Sequence, residues 1–421
     1  MQMLRSRRFS KQVGLTFVTQ GVITLFALGT AAIIARWLGP AGKGTLALAL
    51  LLPSMLGLFL AGGIGVANVY FASSGRLELR RLTANATAFA LMATVLAVFI
   101  VTVLAATGLL QRLVPGVPLG LMLLAMVGLP IGLLNGYLAA LLQGLQRFVT
   151  ANAVNLAQGG LTLGFAAVLV IFLGWGISGA VLAVLCAGLS ALGITAVLLH
   201  RLGGRFRPRW DRAVMRATLS FGLRGYVGNV LQFFNYRLDM FLVNYFLGPA
   251  GVGIYGSSVA LAELLWYLPN AVGFVIFPKS AATRPEVMNA FTPRVFRATL
   301  GLTIVGALVL ALTGRYLIAL VYGPAFASAY GPLLALLPGV VLLGGGKVLT
   351  NEIAGRGYIH YNSINSGLAL ILTIVLDLAL IPRYGVLGAA IASSLAYTVI
   401  FFTAIGFYLS VSRRAQSGVQ P

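Results

Sequence analysis

Twelve stretches of about 20 or more apolar residues follow one another along this chain, separated only by short polar breaks. They lie near 13–35, 45–71, 84–108, 119–143, 151–173, 177–199, 219–246, 254–277, 294–313, 333–352, 362–381 and 387–410. No soluble fold could hide that much apolar surface: 59% of the residues are hydrophobic and 9% charged, against roughly 25% charged in an ordinary soluble protein. The expected fold class is therefore an all-α polytopic membrane protein with about twelve transmembrane helices. The first stretch has a basic flank like a signal peptide, but at about 23 residues it exceeds a signal h-region and reads as a retained anchor.

A formal charge of +22 would point to nucleic acid in a soluble protein, so its distribution has to be read before its sign. With the N-terminus inside, 21 Lys and Arg fall on the cytoplasmic side, 5 in outer loops and 3 (Arg224, Arg237, Lys347) within predicted spans. That is a strong positive-inside bias. Both basic ends fall on one side only if the number of spans is even. The expectation is an inner (plasma) membrane protein with both termini cytoplasmic, whose surplus charge meets anionic lipids rather than nucleic acid. The single cysteine, Cys186, lies in an apolar stretch and reads as a small core residue.

An internal repeat organises the chain. Leu38-Gly39-Pro40-Ala41-Gly42-Lys43-Gly44 returns 209 residues later as Leu247-Gly248-Pro249-Ala250-Gly251-Val252-Gly253. Gly176, Gly179 and Ala180 return as Gly385, Gly388 and Ala389, again at 209, and Phe148, Asn152 and Asn155 are matched at 210 by Tyr358, Asn362 and Asn365. This predicts a six-helix lobe over 1–200, a basic cytoplasmic linker over 201–218, a second lobe over 219–410 and a cytoplasmic tail over 411–421. An even number of spans per half inserts both halves alike, so the repeat is a parallel one, related by an axis along the membrane normal.

Charge inside hydrocarbon costs at least ~2.5–3.5 kcal/mol and normally faces a cavity or a partner. Of the 7 acidic residues, Asp239, Glu263, Glu352 and Asp377 fall within or at the ends of predicted spans, the last two nearer the ends, where an interfacial role is expected. On the seventh span Asn229, Gln232, Tyr236 and Asp239 fall in an arc of about 80°. The first span carries Gln12, Thr16, Thr19, Gln20 and Thr24 on one face, and Gln20 aligns with Asn229 at 209. Two equivalent polar stripes predict either a hydrated lumen or interhelical hydrogen bonding in a packed bundle. Arg237, two residues from Asp239, points to a nearly opposite face and needs another partner, for which Glu263 is a candidate. The expected substrate contacts in the lumen are Arg237, Lys347, Asn229, Gln232 and Gln20, and the expected ion-coupling carboxylates are Asp239 and Glu263. The two histidines, His200 and His360, lie in different loops, and no HExxH, GxSxG or Walker pattern occurs, so neither an enzyme nor an ATP-driven pump is expected. Gly344-Gly345-Gly346-Lys347 lacks the phosphate-loop spacing and sits in an apolar span.

The run Ala35-Arg36-Trp37-Leu38-Gly39-Pro40-Ala41-Gly42-Lys43-Gly44, then Gln143-Gly144-Leu145-Gln146-Arg147-Phe148, then Arg237-Leu238-Asp239 and the second Gly-Pro motif through Tyr255 resemble the polysaccharide-transport or O-antigen flippase family. That family is part of the multidrug/oligosaccharidyl-lipid/polysaccharide (MOP) exporter superfamily, and the resemblance covers essentially the whole chain. It implies a MOP/MATE-like V-shaped architecture that flips an undecaprenyl-pyrophosphate-linked oligosaccharide, coupled to an ion gradient, so that H+ or Na+ stands where a cofactor would; no metal is expected. The implied partners are the lipid-linked glycan, a glycan polymerase and glycosyltransferases. The rival readings are a multidrug or cation antiporter of the same superfamily and a non-transporting scaffold of a glycan-synthesis complex.

Overall fold

Ten helical segments are long and apolar enough to cross a membrane among the described residues. The structure, a computed structural model, describes residues 2–223 and 226–416, and of these all side chains but those of 2–17, 227, 229, 359 and 414–416. Two segments, Val18–Leu60 with 43 residues and Val230–Ala282 with 53, would run about 65 and 80 Å as straight helices, over twice the ~30 Å hydrocarbon core. Each is broken at one glycine, Gly39 at φ 67° and ψ −174° and Gly248 at φ 71° and ψ −175°. That region of backbone space is essentially open to glycine alone. Pro40 and Pro249 follow, and proline without an N–H suits the first position of the resumed helix. Counted as two spans each, these segments bring the total to twelve, the number read from hydropathy.

The chain divides into two compact units between Tyr226 and Val227. The first holds α1 (Gln2–Leu60, bent at Gly39), α2 (Ile64–Ser74), α3 (Leu79–Ala106), a short α4 (Leu109–Leu113), α5 (Leu119–Met126), α6 (Gly128–Gly144), α7 (Phe148–Ala166) and α8 (Gly176–Arg201). A further helix, α9 (Arg212–Leu223), closes it. The second holds α10 (Tyr226–Glu263, bent at Gly248), α11 (Tyr267–Ala282), α12 (Pro285–Val321), α13 (Tyr330–Gly355), α14 (Ile359–Tyr384) and α15 (Val386–Gln416). Within the first, α6 lies against α2, α3 and α8; within the second, α13 lies against α11, α12 and α15. Burial is inverted toward the outside: Leu312, Tyr316 and Leu320 form an i, i+4, i+8 stripe on α12, each at least 68% exposed, as a lipid-facing helix requires.

The repeat recurs as backbone geometry. A Cβ added to Gly179 would lie 2.9 Å from the Leu169 carbonyl oxygen, and one added to Gly388 would lie 2.2 Å from that of Leu380. Only glycine fits either close approach. The α6–α7 turn (Leu145→Leu141, Gln146→Gln143 and Arg147→Leu142 N–H to O) reappears between α13 and α14 as Arg356→Glu352, Gly357→Ala354 and Tyr358→Ile353. Here the offset is 211, which corrects the asparagine match at 210: buried Asn365 corresponds to buried Val154, not to exposed Asn155. The first unit has two more residues between this turn and Gly176 than the second has before Gly385, and it carries a π-helical turn over Ala167–Phe172.

The stretch 201–218, read from sequence as a linker, is corrected in two ways. Its C-terminal part belongs to α9, whose Val214, Met215, Thr218 and Gly222 are buried on one face against α2 and α3. The seventh span accordingly starts at Tyr226 and not at 219. Hydropathy averaged over a window merged the apolar face of α9 with the span that follows.

Candidate functional site

The first half of α10 carries two polar clusters. In one, Tyr236 accepts a hydrogen bond from Gln232 Nε2 at 3.3 Å, four residues back, and the Arg237 guanidinium lies 3.4 Å from Glu263 Oε1. Both members of this pair keep some exposure, 33% and 26% of their side chains. Beside them Lys347 of α13 donates to Asn270 Oδ1 at 3.0 Å and stands 4.0 Å from the Trp266 ring and 5.8 Å from that of Tyr236, within cation–π range. Tyr236, Trp266 and Tyr397 touch one another, with ring centroids 5.3 to 6.2 Å apart. The Trp266 indole N–H is fixed on the Val340 carbonyl at 3.0 Å. The result is a partly accessible patch with two cations against an aromatic wall, one neutralised by a carboxylate and the other bonded to a neutral amide.

The second cluster is buried. Asp239 is 2% exposed, accepts from the Tyr255 hydroxyl at 2.5 Å and from the Met240 N–H at 2.8 Å, and Tyr255 in turn shares a hydrogen bond of 2.9 Å with Ser393 of α15. One turn earlier, Asn235 Oδ1 accepts from Thr373 of α14 at 3.5 Å. The spans of α10 and α14 are the first and fifth of their unit and cross in the same direction. Asp239 and Asp377 lie four residues beyond that contact on their respective helices, near enough for the Asp239 charge to act on Asp377. Asp377 is fully buried, and neither of its carboxylate oxygens has a hydrogen-bond partner among the described residues.

The structure thus brings Arg237, Lys347, Gln232 and Glu263 into one patch; of the two expected ion-coupling carboxylates, Glu263 pairs with Arg237 and Asp239 with Tyr255. Asp377 and Glu352, expected near span ends, are both fully buried, and Glu352 pairs with Arg356 one turn on. Gln20 is exposed on α1 of the other unit, its carbonyl accepting from Thr24 at 2.8 Å. The side chains of Asn229, Gln12 and Thr16, and all of Arg224, lie outside the described residues. Tyr255 and Ser393 were missed, although Tyr255 closes the second Gly-Pro motif. No group of three or more His, Cys, Asp or Glu side chains able to hold a metal occurs among the described residues.

Twelve spans in two six-span units, each opening on a helix broken at Gly-Pro, define a multi-pass membrane protein with the fold of the MOP superfamily. A solved lipid II flippase MurJ in an inward closed conformation superposes with a TM-score of 0.76 at 14% identity, over 96% of this chain and 91% of that one. An inward-facing multidrug resistance MATE family transporter of the MOP superfamily gives 0.73 at 18%, over 94% and 95%. An outward-facing one gives 0.65 at 17%, over 96% of each chain. No curated protein sequence matches. The profile of the polysaccharide biosynthesis protein family matches residues 33–331, and the chain belongs to that family.

Proposed function

We propose that this protein translocates a lipid-linked oligosaccharide with a pyrophosphate head across the inner membrane, driven by H+ or Na+ through alternating access. The observation that carries this reading is the presence in one unit of a partly accessible cation patch at Arg237 and Lys347 and of two buried carboxylates, Asp239 on α10 and Asp377 on α14. A diphosphate entering hydrocarbon needs fixed cations and donors, which Arg237, Lys347 and Gln232 supply, while the aromatic wall suits sugar rings and the isoprenoid. Two carboxylates brought together in a low-dielectric interior cannot both stay bare; a proton or Na+ taken up by Asp239 and Asp377 would alter packing between α10 and α14 and so link the ion to the patch. Lys347 in the patch disfavours the rival multidrug antiporter, which would need net negative charge for a cationic drug. Family membership supports a glycan cargo, and the arginine bias supports cytoplasmic termini. The test is glycan display at matched expression: Arg237→Gln and Lys347→Gln should insert normally and lose export. Wild-type display by both would sink the reading, and loss of protein in step with loss of display would make the two residues structural.

A further inference from the structure

Where α3 begins and the chain leaves α8 in the first unit, a cavity of about 540 Å³ is lined by Glu78, Arg80, Arg81, Arg205, Arg207, Arg209 and Asp211. Five guanidinium groups meet two carboxylates there. The acids are already engaged: Glu78 lies 2.7 Å from Arg80 and Asp211 2.5 Å from Arg81. Arg205, Arg207 and Arg209 have no acidic partner among the described residues, so the cavity holds three uncompensated positive charges.

The segment bearing those three arginines is pinned. The Thr83 hydroxyl donates to the Arg205 carbonyl at 3.0 Å and accepts from its N–H at 2.9 Å. Gly204 N–H bonds the Leu199 carbonyl at 2.8 Å. Phe206 packs among Leu82, Leu138, Leu199 and Val214, and Asp211 caps α9 through the N–H groups of Ala213 and Val214 at 3.1 and 3.2 Å. The α9 N-terminus is therefore occupied and is not itself the anion site. Positive-inside orientation asks only that arginines lie on one side of the membrane. It does not ask for like charges to be fixed around a cavity, where they repel one another unless an anion joins them. The volume falls within the range of ~300–1,000 Å³ usual for small-molecule sites, and guanidinium pairs with phosphate oxygens two at a time.

We propose that the Arg205–Arg207–Arg209 cavity binds a phosphate-bearing anion, either the headgroup of an anionic lipid or a soluble phosphate compound, at a site made wholly of first-unit residues. The full-length protein in phosphatidylcholine nanodiscs is titrated with inorganic pyrophosphate by calorimetry. In detergent, phosphatidylglycerol bound to it is counted by native mass spectrometry. The variant Arg205→Gln/Arg207→Gln/Arg209→Gln should bind at least about tenfold more weakly, the loss of one charge-assisted hydrogen bond or more. Arg284→Gln/Arg294→Gln/Arg297→Gln, which removes the same charge elsewhere, should bind as the wild type does. Pyrophosphate binding alone assigns a soluble phosphate ligand, and lipid retention alone assigns a headgroup. Equal losses in the two triple variants, or no binding of either probe to the wild type, overturns the proposal. Should the triple variant fail to insert, Arg207→Gln must show a weakening greater than that of Arg294→Gln, and equality again overturns it.

Discussion

At Asp377 two buried carboxylate oxygens face their surroundings without a hydrogen-bond partner among the described residues, and replacing the acid by its amide separates a working group from a supporting one. Asp377→Asn is expected to leave abundance unchanged and to remove the ion dependence of transport, measured in proteoliposomes across imposed H+ and Na+ gradients. Unaltered ion dependence would exclude the carboxylate from coupling. Tyr255→Phe differs, because it strips a partner from Asp239 inside a buried cluster. It should destabilise by about 1–3 kcal/mol, seen as a lower thermal midpoint. Outside the membrane, the Arg81 guanidinium and then the Val214 N–H hold the Asp211 carboxyl below the usual carboxylate value. Such a group contributes fully above its unfolded pKa, ~3.9, and its contribution fades as pH falls through the lower folded value. Tryptic cleavage within 201–211 should thus show no Asp211-dependent change between pH 8 and 5, and should be faster in Asp211→Asn throughout. The residues of the site were legible unevenly. Arg237 announced its need for a partner by the helical phase that separates it from Asp239. Asp377, Tyr255 and Ser393 did not, because neighbours in this fold lie far apart in sequence, 138 residues for Tyr255 and Ser393, and meet through packing that hydropathy does not encode.

Elements were read more readily than contacts. Spans show in sequence because each apolar window exceeds the length the bilayer demands, and the breaks at Gly39 and Gly248 show because the Gly-Pro pair repeats. What escaped is α9, too short and too basic for a hydropathy window, and the one-residue register shift of α14 against α7, which similarity among asparagines concealed. Two glycines of the second unit separate backbone strain from steric conflict. Gly248→Ala meets nothing within 4 Å, so its cost is conformational alone, about 1–3 kcal/mol. Gly388→Ala places a methyl 2.2 Å from a carbonyl oxygen and must displace α14 from α15, costing typically 1–3 kcal/mol and occasionally more. Denaturant unfolding in detergent should show both as destabilised. A smaller second-site residue at 380 should help neither, since the obstacle at Gly388 is main chain.

Over the whole molecule, orientation is the property most open to direct measurement. Replacing Cys186, the only cysteine, gives a background in which single cysteines at 207 and near 413 should be labelled by an impermeant maleimide only from the cytoplasm. Labelling of either in intact cells would reverse the proposed topology and place the arginine cavity outside. The two Gly-Pro breaks have a consequence of another kind, one of handedness. Reflecting φ 71° and ψ −175° gives −71° and 175°, well inside the extended region that ordinary L-residues favour. The glycine at each break therefore has the backbone of a relaxed D-amino acid. D-alanine introduced at 248 by ligation should ease the chain where L-alanine strains it, so at these two positions the achiral residue stands in for a stereochemistry that ribosomal synthesis does not supply.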